Sequence, residues 1–79
     1  MHSMQGLSDR EVFAGAIMCV RHRRITPKQY LVFVWHCKDG ETYAEIGNRF
    51  DPPMPANRVA EQVQLAKLAI LAEVTGESR

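Results

Sequence analysis

The sequence predicts an all-α fold, a small domain of four helices, and three observations carry that prediction. The helix-start signature Ser/Thr-x-x-Glu/Gln occurs at Ser8, Thr26 and Thr42. Behind those starts, apolar residues recur at three- and four-residue steps, the period of a helix with one buried face. Between the periodic stretches stand Asp39-Gly40 and Asp51-Pro52-Pro53-Met54-Pro55, residues that close helices or cannot continue them.

Residues 1–7 read as a flexible polar tail, and the domain is expected over residues 8–75. Ser8-Asp9-Arg10-Glu11 opens a first helix, from about Asp9 to His22, with Val12, Phe13, Ala16, Ile17 and Val20 on its apolar side and Gly15 weakening it slightly. Thr26-Pro27-Lys28-Gln29 opens the second. The Thr hydroxyl caps a free backbone N–H, Pro fits the first helical position because no N–H is needed there, and Gln bonds back to the cap. Lys38-Asp39-Gly40 ends it, a cation in the last turn followed by a residue suited to the left-handed conformation.

A hairpin competes for the same stretch. Tyr30-Leu31-Val32-Phe33-Val34-Trp35 is β-branched and aromatic, and Asp-Gly is a favoured hairpin turn. Against it, Pro27 stands where a helix accepts proline, and the apolar run lacks the alternation that would let a sheet face water. As a helix, the run places Leu31, Val34 and Trp35 on one face, widened by Val32 and Phe33. Thr42-Tyr43-Ala44-Glu45 opens a third helix of about two turns, carrying Ile46 and Phe50. The prolines then force a turn, and a fourth helix runs from about Ala56 to Val74, before Gly76 and a C-terminal tail over residues 76–79. Val59, Val63, Ala66, Ile70 and Val74 make its core stripe. From Leu65 onward Leu68, Ala69, Leu71 and Ala72 spread around the circumference, which requires cover on a second side, by the first helix or by a dimer partner.

At 79 residues, 46% hydrophobic and 24% charged, the chain fits one globular domain. No run reaches the roughly 18 apolar residues of a membrane span, and Met1-His2-Ser3-Met4-Gln5 does not read as a secretory signal, so a cytoplasmic protein is expected. Cys19 and Cys37 read as reduced core thiols. Cys19-x-x-His22 with His36-Cys37 is a weak zinc pattern, because adjacent residues on a helix point about 100° apart. No nucleophile motif, glycine-rich phosphate loop or paired acid stands out, so neither an enzyme nor a cofactor is expected. Tyr30 and Trp35 lie in an apolar run and read as core rather than base-stacking groups.

Net charge is only +1, but it is unevenly spread. Arg21, Arg23, Arg24, Lys28 and Lys38 stand between residues 21 and 38 without an acid, while residues 41–79 hold six acids and four bases. The basic stretch is either a solvated helix end or an anion-binding patch.

Ile25, Pro27, Gln29, Val32, Phe33, Gly40, Thr42, Tyr43, Glu45 and Ile46 together resemble the fourth conserved region of bacterial sigma factors and the related domains of small transcription regulators. The resemblance spans Ile25 to Phe50 and continues in outline through Asn57 to Leu71. It implies a sigma region 4-like helix-turn-helix, built from the third and fourth helices against the second, with the last helix entering the major groove of duplex DNA. Carried over by position, Asn57, Arg58, Glu61, Gln62 and Gln64 would present base-reading groups. Arg23, Arg24, Lys28, Thr42 and Tyr43 would hold the phosphate backbone. Two features depart from the family: the turn Phe50 to Pro55 is longer and proline-rich, and the last helix lacks the usual basic run. The resemblance therefore implies a transcription regulator, with a phage-encoded one within its range. A different function for the same fold is a protein-interaction module that binds RNA polymerase or another regulator. A homodimer through the apolar end of the last helix fits either.

Overall fold

The computed structural model describes residues 8–76, which form four helices and no strand: α1 (Asp9–Arg21), α2 (Pro27–Cys37), α3 (Tyr43–Gly47) and α4 (Ala56–Thr75). The tails expected at residues 1–7 and after Gly76 lie outside the described residues. All three capping boxes form. Thr26 Oγ1 accepts the Gln29 N–H at 3.1 Å while Gln29 Oε1 accepts the Thr26 N–H at 2.9 Å, and Thr42 and Glu45 repeat the exchange at 3.1 and 2.8 Å. Ser8 and Glu11 do the same for α1. Each box satisfies two amides that a helix start otherwise leaves open, and a cap of this kind is worth about 1 kcal/mol.

The run from Tyr30 to Trp35 is helical. The Lys38 N–H bonds the Val34 carbonyl at 2.8 Å and Gly40 turns away at φ 73°, so Asp39-Gly40 closes a helix instead of a hairpin. Gly76, at φ 75°, closes α4 through its N–H on the Ala72 carbonyl at 2.9 Å. The third helix is shorter than the two turns expected. It ends at Gly47 with Asn48 as its cap, and Phe50 lies beyond it in the turn.

Helix α4 is the spine, and each of the other three packs on it; α1 and α3 touch α2 as well but not each other. The core divides along this spine. Val12, Ala16, Cys19, Ile25 and Phe33 meet Ala66 and Ile70 at one end; Val32 and Ile46 meet Val59 and Val63 at the other. Neighbouring residues of α2 thus serve different halves, Phe33 toward α1 and Val32 toward α3.

This corrects two expected faces. The buried centre of α2 is Val32 and Phe33, while Leu31 is 42% exposed and Val34 and Trp35 are half-buried. On α1 the place expected for Ile17, which is 48% exposed, belongs to the fully buried Cys19. Gly15 is buried at the crossing of α1 and α4, where a Cβ would stand 2.5 Å from Val74 Cγ2, so its lack of a side chain permits the close approach. The extra cover for the end of α4 is partial. Ala69, Leu71 and Val74 pack toward α1's cluster, whereas Leu65 and Leu68 remain 47% and 66% exposed.

Candidate nucleic-acid interface

The turn between α3 and α4 is built on Gly47, whose carbonyl accepts the N–H of Phe50 at 3.3 Å and of Met54 at 3.0 Å. A Cβ at Gly47 would overlap the Met54 carbonyl oxygen, so only glycine lets the turn fold this tightly onto α3. The Asp51-Pro52 peptide within the turn is cis. Pro55 then caps α4 without a side-chain bond, its carbonyl accepting from Arg58 and Val59, and no acid occupies the first turn.

Against this turn lies an open depression of about 340 Å³, lined by Phe50, Asp51, Pro52, Pro53, Met54 and Pro55 with Lys28 on one side and Arg58 on the other. Two cations from helices distant in sequence thus share one concavity. Lys28 Nζ stands 5.3 Å from the centre of the Phe50 ring, a cation–π distance. Among the described residues neither Lys28 nor Arg58 is paired with a carboxylate.

Behind the depression, side chains tie α2 to the segments on either side of α3. The rings of Phe50 and Trp35 meet edge to face at 6.0 Å, Arg49 lies over Trp35 at 4.4 Å, and Arg49 donates through Nε and Nη2 to the two carboxylate oxygens of Glu41. Those hydrogen bonds hold the Glu41 carboxyl below the ordinary carboxylate range. Nothing in the sequence marked Arg49, since its carboxylate partner is eight residues away and its aromatic partner is on α2.

Along α4, Asn57, Glu61 and Gln64 are all exposed and their spacing puts them in one outward strip, with Arg58 beside it. The strip continues to the exposed Leu68, with Leu65 flanking it. Comparison with protein-family models, curated proteins and solved structures finds no match.

The remaining site candidates fall elsewhere. Gln62 is half-buried, its amide oxygen accepting from Gln29 Nε2 at 2.9 Å, so it joins α4 to α2. Arg24 Nε binds Glu73 Oε1 at 3.0 Å, and His22 Nδ1 approaches the same carboxylate at 3.3 Å. That clamp ties the α1–α2 loop to the far end of α4, about 22 Å along the axis from Arg58 at 1.5 Å per residue. Arg23 is exposed in the same loop. Thr42 uses its hydroxyl as a cap, and Tyr43 stacks on His36 with centroids 4.4 Å apart, toward the end of α2 opposite Lys28. The structure therefore brings Lys28 and Arg58 into one depression and aligns Asn57, Glu61 and Gln64 on the exposed side of α4, while Arg24 is held at the far end of α4 and Thr42 and Tyr43 are engaged in a cap and a ring stack.

The groups of the weak zinc pattern are spread out. His36 Nδ1 lies 2.9 Å from the Glu41 carbonyl and Cys19 is fully buried; among the described residues no three His, Cys, Asp or Glu side chains gather as a metal site. Desolvation raises the pKa of both thiols: Glu73 adds to it at Cys19 while Arg24 partly offsets it, and Lys67 partly offsets it at Cys37. No described helix is long and apolar enough to cross a membrane.

Proposed function

We propose that this chain is a transcription regulator that binds duplex DNA through a sigma region 4-like helix-turn-helix formed by α3, the proline turn and α4. The observation that carries the reading is the outward strip of Asn57, Glu61 and Gln64 on α4 beside Arg58, which shares the turn depression with Lys28. The strip holds side chains able to read base edges, and the depression holds two cations able to meet phosphate. In this reading Asn57 and Gln64 suit adenine, Arg58 guanine or phosphate, and Glu61 the amino group of cytosine, while Lys28 neutralises the backbone across the turn. Its setting is the cytoplasm of a bacterial or phage-infected cell.

The test is a titration with mixed-sequence duplex at low salt, followed by amide NMR. Shifts are expected at Lys28, Asn57, Arg58, Glu61 and Gln64, and Lys28→Ala should lower the salt slope of the affinity by about one. A duplex that moves none of those amides removes the proposal.

A second reading rests on Leu65 and Leu68, which extend the same strip with apolar surface that DNA does not need. It makes the chain a module docking on RNA polymerase or another regulator, or pairing with a second copy. Leu68→Ser would then abolish polymerase capture or the dimer while leaving duplex binding unchanged.

A further inference from the structure

A second concave surface lies between the end of α1 and the start of α2, on the side of α2 that faces α1. Two adjoining depressions, of about 380 and 200 Å³, share Val20 as their common wall. Ile17 and Tyr30 continue the floor in one direction, Ile25 and Pro27 in the other, and Ile17 is 48% exposed. Three arginines stand at its edge, Arg21, Arg23 and Arg24, and no acid is among the lining residues. Arg24 is neutralised by Glu73, which leaves Arg21 and Arg23 as unpaired charge among the described residues.

Arg23 is held there against local preference. It is the only described residue other than glycine with a positive φ, 61°, at the position after the cap of α1. Its N–H bonds the Val20 carbonyl at 3.1 Å and the next N–H, that of Arg24, bonds the Cys19 carbonyl at 2.8 Å, the left-handed closure that glycine usually makes. A side chain with a Cβ is disfavoured in this conformation. An arginine at such a place is a local inconsistency of the kind that accompanies a functional demand.

We infer that this groove docks an acidic amphipathic segment of another protein, with aliphatic side chains at helical spacing on the floor and carboxylates meeting Arg21 and Arg23. Complementarity selects that occupant. A nucleic-acid backbone would satisfy the arginines but has no apolar group to cover Ile17, Val20 and Tyr30; a purely apolar segment would leave two cations unanswered at the rim. Helix-in-groove recognition supplies both halves. The surface is distinct from the strip on α4, so the inference stands whether or not that strip reads DNA.

The probe is a synthetic helix of Leu, Ala and Glu, added to the full chain and followed by amide NMR and calorimetry. Controls are the same helix with Lys for every Glu, a polyglutamate peptide, and mixed-sequence duplex. Saturable shifts are expected at Ile17, Val20, Arg23 and Tyr30 with the acidic helix alone. Arg21→Glu with Arg23→Glu should weaken it by about tenfold or more, the scale of lost charge complementarity at one contact. Arg23→Gly removes a rim cation while suiting the backbone, so it should bind several-fold more weakly yet melt at a higher temperature than the parent, which keeps the folding and docking effects apart. The inference is overturned if the acidic helix moves none of these amides, or if the Lys helix or polyglutamate binds equally well. It also fails if duplex shifts the same residues, if they shift with protein concentration alone, or if folded Arg23→Gly keeps full affinity.

Discussion

Replacing Gly47 by Ala tests whether the close seat of the proline turn positions α4. In an open helix the change would stabilise by about 1 kcal/mol, because alanine is the better helix former. Here the new methyl overlaps the Met54 carbonyl oxygen and stands 3.2 Å from its carbon, and both belong to backbone that cannot swing aside as a side chain would. Relief requires the turn to lift from α3, which costs about 1–3 kcal/mol by analogy with overpacked cores and about 1 kcal/mol more for the Met54 N–H bond to Gly47. The balance is a net loss of roughly 1–3 kcal/mol. For a domain of this size that lowers the melting temperature by roughly 5–20 °C. Circular dichroism gives the melt, and amide shifts at Met54 and Val59 report the lifted turn. A variant that melts at or above the parent temperature, with the Met54 amide unmoved, would show that the turn does not rest on Gly47 as argued.

Two further outcomes follow from ionisable groups. Arg49 lowers the folded-state pKa of Glu41, so that ion pair supports the fold above the unfolded carboxylate pKa, near 4.3, and its support is lost as pH falls through the lower folded value. Trp35 fluorescence should therefore change in acid with a midpoint below that of an ordinary glutamate, and Glu41→Gln should abolish that step; an unchanged step in the variant assigns it to another group. The raised thiol pKa values and the complete burial of Cys19 predict slow alkylation at neutral pH, Cys37 reacting before Cys19 and both quickly in denaturant. Equal fast labelling of both thiols in the native protein would contradict the packing of α1 on α4.

The helices were legible in the sequence because their starts are local chemistry. Ser8 with Glu11, Thr26 with Gln29 and Thr42 with Glu45 each write a cap within four residues, and all three form. The stripe on α4 was legible for the same reason, since Val59, Val63, Ala66 and Ile70 keep one helical period. What escaped depends on which helix lies opposite. Nothing near Leu31 or Ile17 says that these two will face outward while Val32 and Phe33 become the buried centre of α2, and nothing near Arg24 or Gln62 announces Glu73 or Gln29 as partners. Of the ten candidate interface residues, Lys28 and Arg58 meet because the proline turn sets the first turn of α4 beside the first turn of α2. That is a tertiary fact without a local signal. Arg23 escaped in the opposite sense, since its left-handed backbone occurs where the sequence offers no glycine.

Because α1, α2 and α3 each bury their apolar side on α4, none of them has its main partner until the fourth helix exists. At thirteen, eleven and five residues they are at or below the length, about 12–15 residues, at which even good helix formers are marginal in water. Without α4 the three helices are expected to form weakly, since Val12, Phe33 and Ile46 lose the core partners that α4 supplies. A fragment ending at Pro55 should be unfolded and open to proteolysis, whereas restoring α4, even as a separate peptide, should recover helicity in all three at once.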